Sequence, residues 1–75
     1  MQDELLGIGV VGYGYWGPNL VRNFSNSGVA RVVTVNDLDP AKLATSRRFH
    51  PTVATTSSFR DLREDRRIDA IAIAT

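Results

Sequence analysis

Five of the chain's six glycines fall between Gly7 and Gly17, in the stretch LLGIGVVGYGYWGPNL. No other feature restricts the local backbone so strongly. Two overlapping G-x-G-x-x-G frames are contained in it, Gly7-Gly9-Gly12 and Gly12-Gly14-Gly17. A frame of this kind cradles phosphate only where a strand feeds a tight turn that opens a helix. Leu6 to Val11 is short, apolar and β-branched, which is the pattern of a buried parallel strand, so the first frame lies inside a strand and fails. Behind the second frame, Pro18 suits the first turn of a helix. Leu20, Val21 and Phe24 then recur at the helical period until Ser27-Gly28 supplies a stop. The second frame stands.

Each glycine of that frame has a separate task. Gly12 permits the tight turn out of the strand, Gly14 lets a pyrophosphate approach the backbone, and Gly17 lets the helix pack closely on the sheet. The helix then offers its free N–H groups and positive dipole end to the phosphates. Binding of this kind is done by backbone, so Tyr13, Tyr15 and Trp16 are expected to be free to vary. For Trp16 two readings stay open: a shield over the pyrophosphate, or packing where helix meets sheet.

A lone glycine frame is weak evidence, and a second feature is needed. Arg31 to Val35 is another β-branched run, stopping at Asn36-Asp37-Leu38, which puts Asp37 at the end of the second strand and 20 residues after Gly17. An acid at that place accepts hydrogen bonds from the adenosine ribose. It also repels the 2′-phosphate of NADP, and position 38 is Leu where an accommodating Arg would stand, so NAD is favoured over NADP. Arg47 and Arg48 are the nearby cations that could reverse that preference.

Downstream, Asp39-Pro40 opens a second helix that must end near His50, because Pro51 disfavours helical geometry before it. Thr52 to Thr55 reads as a third strand. Ser58 and Asp61 have the spacing of a capping box, starting a short charged helix with Phe59 and Leu62 on its apolar edge and an end near Arg67. Ile68 to Ala74 reads as a fourth strand. The alternation predicts an α/β fold: half of a doubly wound, three-layer Rossmann domain, with a parallel sheet of about four strands in the order 3-2-1-4 and helices between them.

Composition narrows the partners. The 75 residues carry 43% hydrophobic and 23% charged side chains and a net charge of +1, too little for a field that draws in nucleic acid or an anionic membrane. Arg60, Arg63, Arg66 and Arg67 are interleaved with Asp61, Glu64 and Asp65, which makes a solvated helix face, with Arg60 and Glu64 at ion-pair spacing. The absence of cysteine rules out disulfides and thiolate chemistry and fits a reducing compartment, so cytoplasm is the expectation. Leu5 to Val11 is too short for a membrane span. His50, the only histidine, has no identifiable partner, and no metal site is expected. Lys42 reads as a surface lysine on the second helix.

With these residues in hand, the stretches GVVGYGYWGPNLVRNF, VVTVNDLDPAKL and SSFRDLREDRRIDAIAIAT resemble the amino-terminal domain of the glucose-fructose oxidoreductase and inositol dehydrogenase family, also called Gfo/Idh/MocA. The similarity runs along nearly the whole chain and is most specific at Gly-Tyr-Trp-Gly followed by Pro-Asn-Leu. The resemblance implies an NAD(P)-binding Rossmann domain, with hydride transfer at a CH–OH or C=O group of a sugar or polyol brought by a second domain. It implies that Gly12, Gly14, Tyr15, Trp16 and Gly17 surround the pyrophosphate, that Asp37 holds the ribose, and that Thr75 begins the loop passing the cofactor. The family's catalytic Glu-Lys-Pro lysine and Asp-x-x-x-His arrangement are not among these residues. Residues 1–75 are thus expected to be the first part of the dinucleotide-binding domain, inactive alone, the rest of that domain and the substrate domain lying beyond. The alternative is a non-catalytic module that senses dinucleotide or pairs with another subunit through its exposed last strand.

Overall fold

β-Branched runs become strands and the proline- or serine-started segments become helices. In the computed structural model, which describes residues 5–74, the order is β1 (Leu6–Val11), α1 (Gly17–Ser25), β2 (Ala30–Asn36), α2 (Pro40–Phe49), β3 (Ala54–Thr56), α3 (Phe59–Arg63) and β4 (Ala70–Ile73). The sheet has four parallel strands in the order β3-β2-β1-β4, as expected. Parallel neighbours need crossovers, and right-handed crossovers put α1 and α2 on one face and α3 on the other. β1 and β2 are covered on both faces, which is why they read as near-continuous apolar runs.

The main core lies under α1 and α2. Ile8, Val10, Tyr13, Val21, Val32, Val35, Leu43 and Val53 pack there, with Phe24 and Ala72 at its margin. Tyr13 is 3% exposed, so it is a core residue and not a variable loop position. Burial raises its phenol above the ordinary value of 10.0. On the opposite face Leu62 of α3 is 1% exposed and sits over Gly9, where an added Cβ would meet its side chain at 3.0 Å.

Several boundaries differ from expectation for local reasons. Helix α1 ends at the Asn26 cap, whose N–H donates to the Arg22 carbonyl, and Gly28 turns the chain afterwards at φ +79°. A turn in which the Val53 N–H donates to the His50 carbonyl delays β3 to Ala54. Asp61 N–H donates to the Ser58 hydroxyl, so that half of the capping box forms, while Ser58 N–H goes to Thr56 Oγ1. α3 stops at Arg63 and not near Arg67, because the Asp65 carboxylate accepts from the Arg67 backbone and guanidinium and closes a turn in place of another helical one. Glu64 approaches Arg63 at 3.8 Å, in place of the expected Arg60. Among the described residues no helix is long and apolar enough to cross a membrane.

Candidate functional site

The sheet register brings the carboxyl ends of the strands level, with Val11 beside Asn36 and Ile73, and Asn36 beside Thr56. In open parallel sheets this is the end where ligands bind. The chain leaves β1 there through Gly12, whose φ of 97° is open to glycine at little cost, and turns into α1. Gly17 seats the helix on that turn: a Cβ there would lie 2.2 Å from the Gly12 carbonyl oxygen. The rejected frame is explained by packing alone, since a Cβ on Gly7 would lie 1.8 Å from the Arg67 carbonyl oxygen.

Gly14 differs from the other glycines of the loop. A Cβ there meets no protein atom within 4 Å, and its φ is not positive. Nothing in the chain's own packing requires glycine at that point. The open space in front of it is the kind of cradle a side chain would narrow.

Helix α1 also stands apart electrostatically. Asp39 caps α2 and Ser58 caps α3 through side-chain oxygens, whereas the Trp16 cap of α1 offers none and the first turn holds no acid. The first N–H groups of α1 therefore keep their capacity for an anion, at the positive end of the helix dipole.

Asp37 closes the arrangement. Its Oδ2 accepts from the Tyr13 N–H at 2.8 Å and its Oδ1 from the Asp39 N–H at 2.9 Å. The acid is thus fastened to the glycine loop and to the start of α2 at once. Each carboxylate oxygen accepts two hydrogen bonds, so one position on each oxygen remains.

Beside Asp37 runs a groove of about 340 Å³ lined by Val11, Gly12, Asn36, Asp37, Leu38 and Phe59. Sequence reading missed Asn36 and Phe59 here, taking the first as a strand stop and the second as a helix edge. For Asn36 no local signal was available, because its place depends on β3 arriving beside it. Gly12, Gly14, Gly17 and Asp37 come together as expected. Tyr15 and Trp16 are 84% and 57% exposed, with rings edge to face at 4.9 Å, so the helix–sheet packing reading of Trp16 is set aside. Thr75 lies outside the described residues. Arg47 donates to Thr55 Oγ1 at 2.9 Å, and the Arg48 guanidinium lies 5.8 Å from the centre of the Phe49 ring.

No protein-family model matches the chain, and no curated protein matches it in sequence. Solved structures do. The myo-inositol dehydrogenase from Lactobacillus casei, in complex with NAD(H) and myo-inositol, is 30% identical over 95% of this chain and 22% of its own, with a TM-score of 0.81. The scyllo-inositol dehydrogenase of the same organism covers 100% of this chain at 24% identity and a TM-score of 0.85. The WlbA dehydrogenase from Bordetella pertussis, in complex with NADH and UDP-GlcNAcA, covers 100% at 24% identity and a TM-score of 0.84. This chain spans 22% of the length of each of the last two. The family resemblance carried by the glycine loop is borne out: the chain has the Rossmann-type fold of the Gfo/Idh/MocA-type inositol and WlbA dehydrogenases along its length.

Proposed function

We propose that the chain is the dinucleotide-binding part of an NAD-dependent oxidoreductase that transfers hydride at a CH–OH or C=O group of a sugar or polyol. The observation that carries this reading is the Asp37 carboxylate hydrogen-bonded to the glycine loop at the uncapped start of α1. The residues present fit a dinucleotide. Gly14 leaves room for the pyrophosphate against the backbone, the first N–H groups of α1 donate to it, and Gly12 and Gly17 hold that turn in place. The remaining acceptor positions of Asp37 take the ribose hydroxyls, and the adjoining groove takes the base.

When bound, the nicotinamide group supplies the hydride chemistry. The chain's own residues bind and orient the adenosine diphosphate half. The acid or base that handles the alcohol proton, and the contacts to substrate, come from outside these residues. The sugar or polyol class rests on the similar structures, one of which holds myo-inositol and another UDP-GlcNAcA. NAD is favoured over NADP because the Asp37 carboxylate faces the ribose, Leu38 is neutral, and Arg47 and Arg48 are engaged with Thr55 and Phe49.

Titration with NAD, NADP and ADP-ribose, followed by amide NMR, tests the reading. Shifts are expected from Gly12 to Gly17 and at Asp37, with NAD tighter than NADP. A native-like spectrum without movement there removes the proposal. Asp37→Ala loses the ribose contacts and the clasp on the loop together, so it weakens NAD strongly and inorganic pyrophosphate to a lesser degree.

A second reading, a subunit-interaction module, is favoured by one observation. Among the described residues β4 is an outer strand of the sheet, with Ile71 37% and Ile73 66% exposed. Light scattering over a concentration series decides it: association that Ile73→Lys abolishes supports it, and a strict monomer removes it.

A further inference from the structure

We propose that Asn36 makes the groove beside Asp37 selective for adenine, by accepting a hydrogen bond from the exocyclic amino group of the base. This inference rests on the dinucleotide reading above and adds to it the residue that chooses the base.

Asn36 is the last residue of β2, lines the groove and is only 5% exposed. Its Nδ2 donates to the Thr56 carbonyl oxygen at 3.1 Å, and the Asp37 N–H donates to the same oxygen at 3.2 Å. A carbonyl only accepts, so the amide has one sensible orientation: nitrogen toward Thr56, oxygen away from it. Among the described residues no donor reaches that oxygen. Ser46 Oγ is the one buried side-chain polar atom among them that is both sealed from solvent and unpartnered, so Asn36 Oδ1 keeps an opening. Asn36 lines the groove, and in this proposal that opening faces it.

An acceptor held this firmly, with its partner position empty, suits a ligand N–H donor. The neighbouring residue, Asp37, is placed for the ribose, and the base is joined directly to that sugar. Leu38 and Phe59, 85% and 45% exposed, give the groove apolar walls for a flat ring. Adenine carries an amino donor on its six-membered ring. Hypoxanthine carries a carbonyl oxygen at the same position, which would set acceptor against acceptor with no proton between them.

The test compares NAD with nicotinamide hypoxanthine dinucleotide by calorimetry on the wild-type protein, so the first result depends on no substitution. NAD is expected to bind about tenfold more tightly or better, the size of effect produced by leaving a buried acceptor unpaired. In Asn36→Leu the ratio should fall toward one. The 13C shift of the Asn36 side-chain carbonyl, read in the wild type, should move with NAD and stay still with the hypoxanthine analogue, which keeps the assignment testable even where the leucine variant does not fold. Equal binding of both dinucleotides, a preference that survives Asn36→Leu, or a carbonyl shift indifferent to the base each overturns the role of Asn36 and leaves the dinucleotide reading intact. Binding of neither overturns both.

Discussion

At the scale of single residues, the glycines separate into those the fold needs and one it does not. Gly17 is demanded by the 2.2 Å approach of its missing Cβ to the Gly12 carbonyl oxygen, and Gly12 by a φ of 97°. Gly14 is demanded by neither space nor backbone angle. Alanine substitution should therefore split stability from binding. Gly17→Ala has to push α1 off the turn and should cost about 1–3 kcal/mol, as overpacking commonly does. Gly14→Ala should leave the melting temperature within a degree or two of wild type or raise it slightly, since it also restricts the unfolded chain. On the proposed function its affinity for NAD should fall by about tenfold or more, because the added methyl group would enter the open space assigned to the pyrophosphate. Equal destabilisation by both substitutions, with unchanged affinity in Gly14→Ala, would assign the whole loop to folding.

At the scale of elements, what could be read in advance is what depends on local periodicity and local sterics. The β-branched runs, Pro18 and Pro40 near helix starts, and the glycine frame each act within a few residues, and for the expected strand order right-handed crossovers then set which face each helix covers. What could not be read is set by competition or by distance. Burial of Tyr13 depends on where α1 crosses the sheet. The lining role of Asn36 depends on β3 arriving beside it. The length of α3 is decided by Asp65, which binds Arg67 at 2.6 Å and ends the helix early. That pair makes a pH prediction. The Asp65 carboxyl is lowered from 3.8 to about 2, first by the hydrogen bond from the Arg67 side chain and then by that from its backbone. A lowered folded-state value means that the native state holds its proton less tightly than the unfolded chain. The stabilisation is present above the unfolded value near 3.8 and is lost as pH falls toward about 2. Asp65→Asn should thus flatten the decline in stability across that window in acid denaturation, while leaving the NAD affinity unchanged. A variant as acid-sensitive as wild type would show that other carboxylates govern the transition.

At the scale of the whole molecule, the described fold is compact but thinly covered on one side. The Cα radius of gyration is 11.1 Å, close to the roughly 11 Å expected of a folded chain of this length. Yet the face opposite α1 and α2 is covered by a helix of five residues, and β4 leaves Ile73 largely in solvent. A ligand that binds only the folded state should move the melting temperature visibly. At a concentration 100 times its dissociation constant, a ligand adds about 2.7 kcal/mol, or about 10–20 °C in a domain of this size. On the proposed function, the contacts available are those of the glycine loop, the start of α1, Asp37 and the adjoining groove, and all of them serve the adenosine diphosphate half. ADP-ribose should therefore reproduce most of the shift given by NAD when both are compared at the same multiple of their dissociation constants, and should bind with similar affinity. Nicotinamide mononucleotide should give little at any accessible concentration. Gly14→Ala should keep the ligand-free melting temperature and lose most of the shift at a fixed NAD concentration. The reverse order, with the mononucleotide stabilising and ADP-ribose inert, would mean that the loop at the head of α1 is not where the dinucleotide is held.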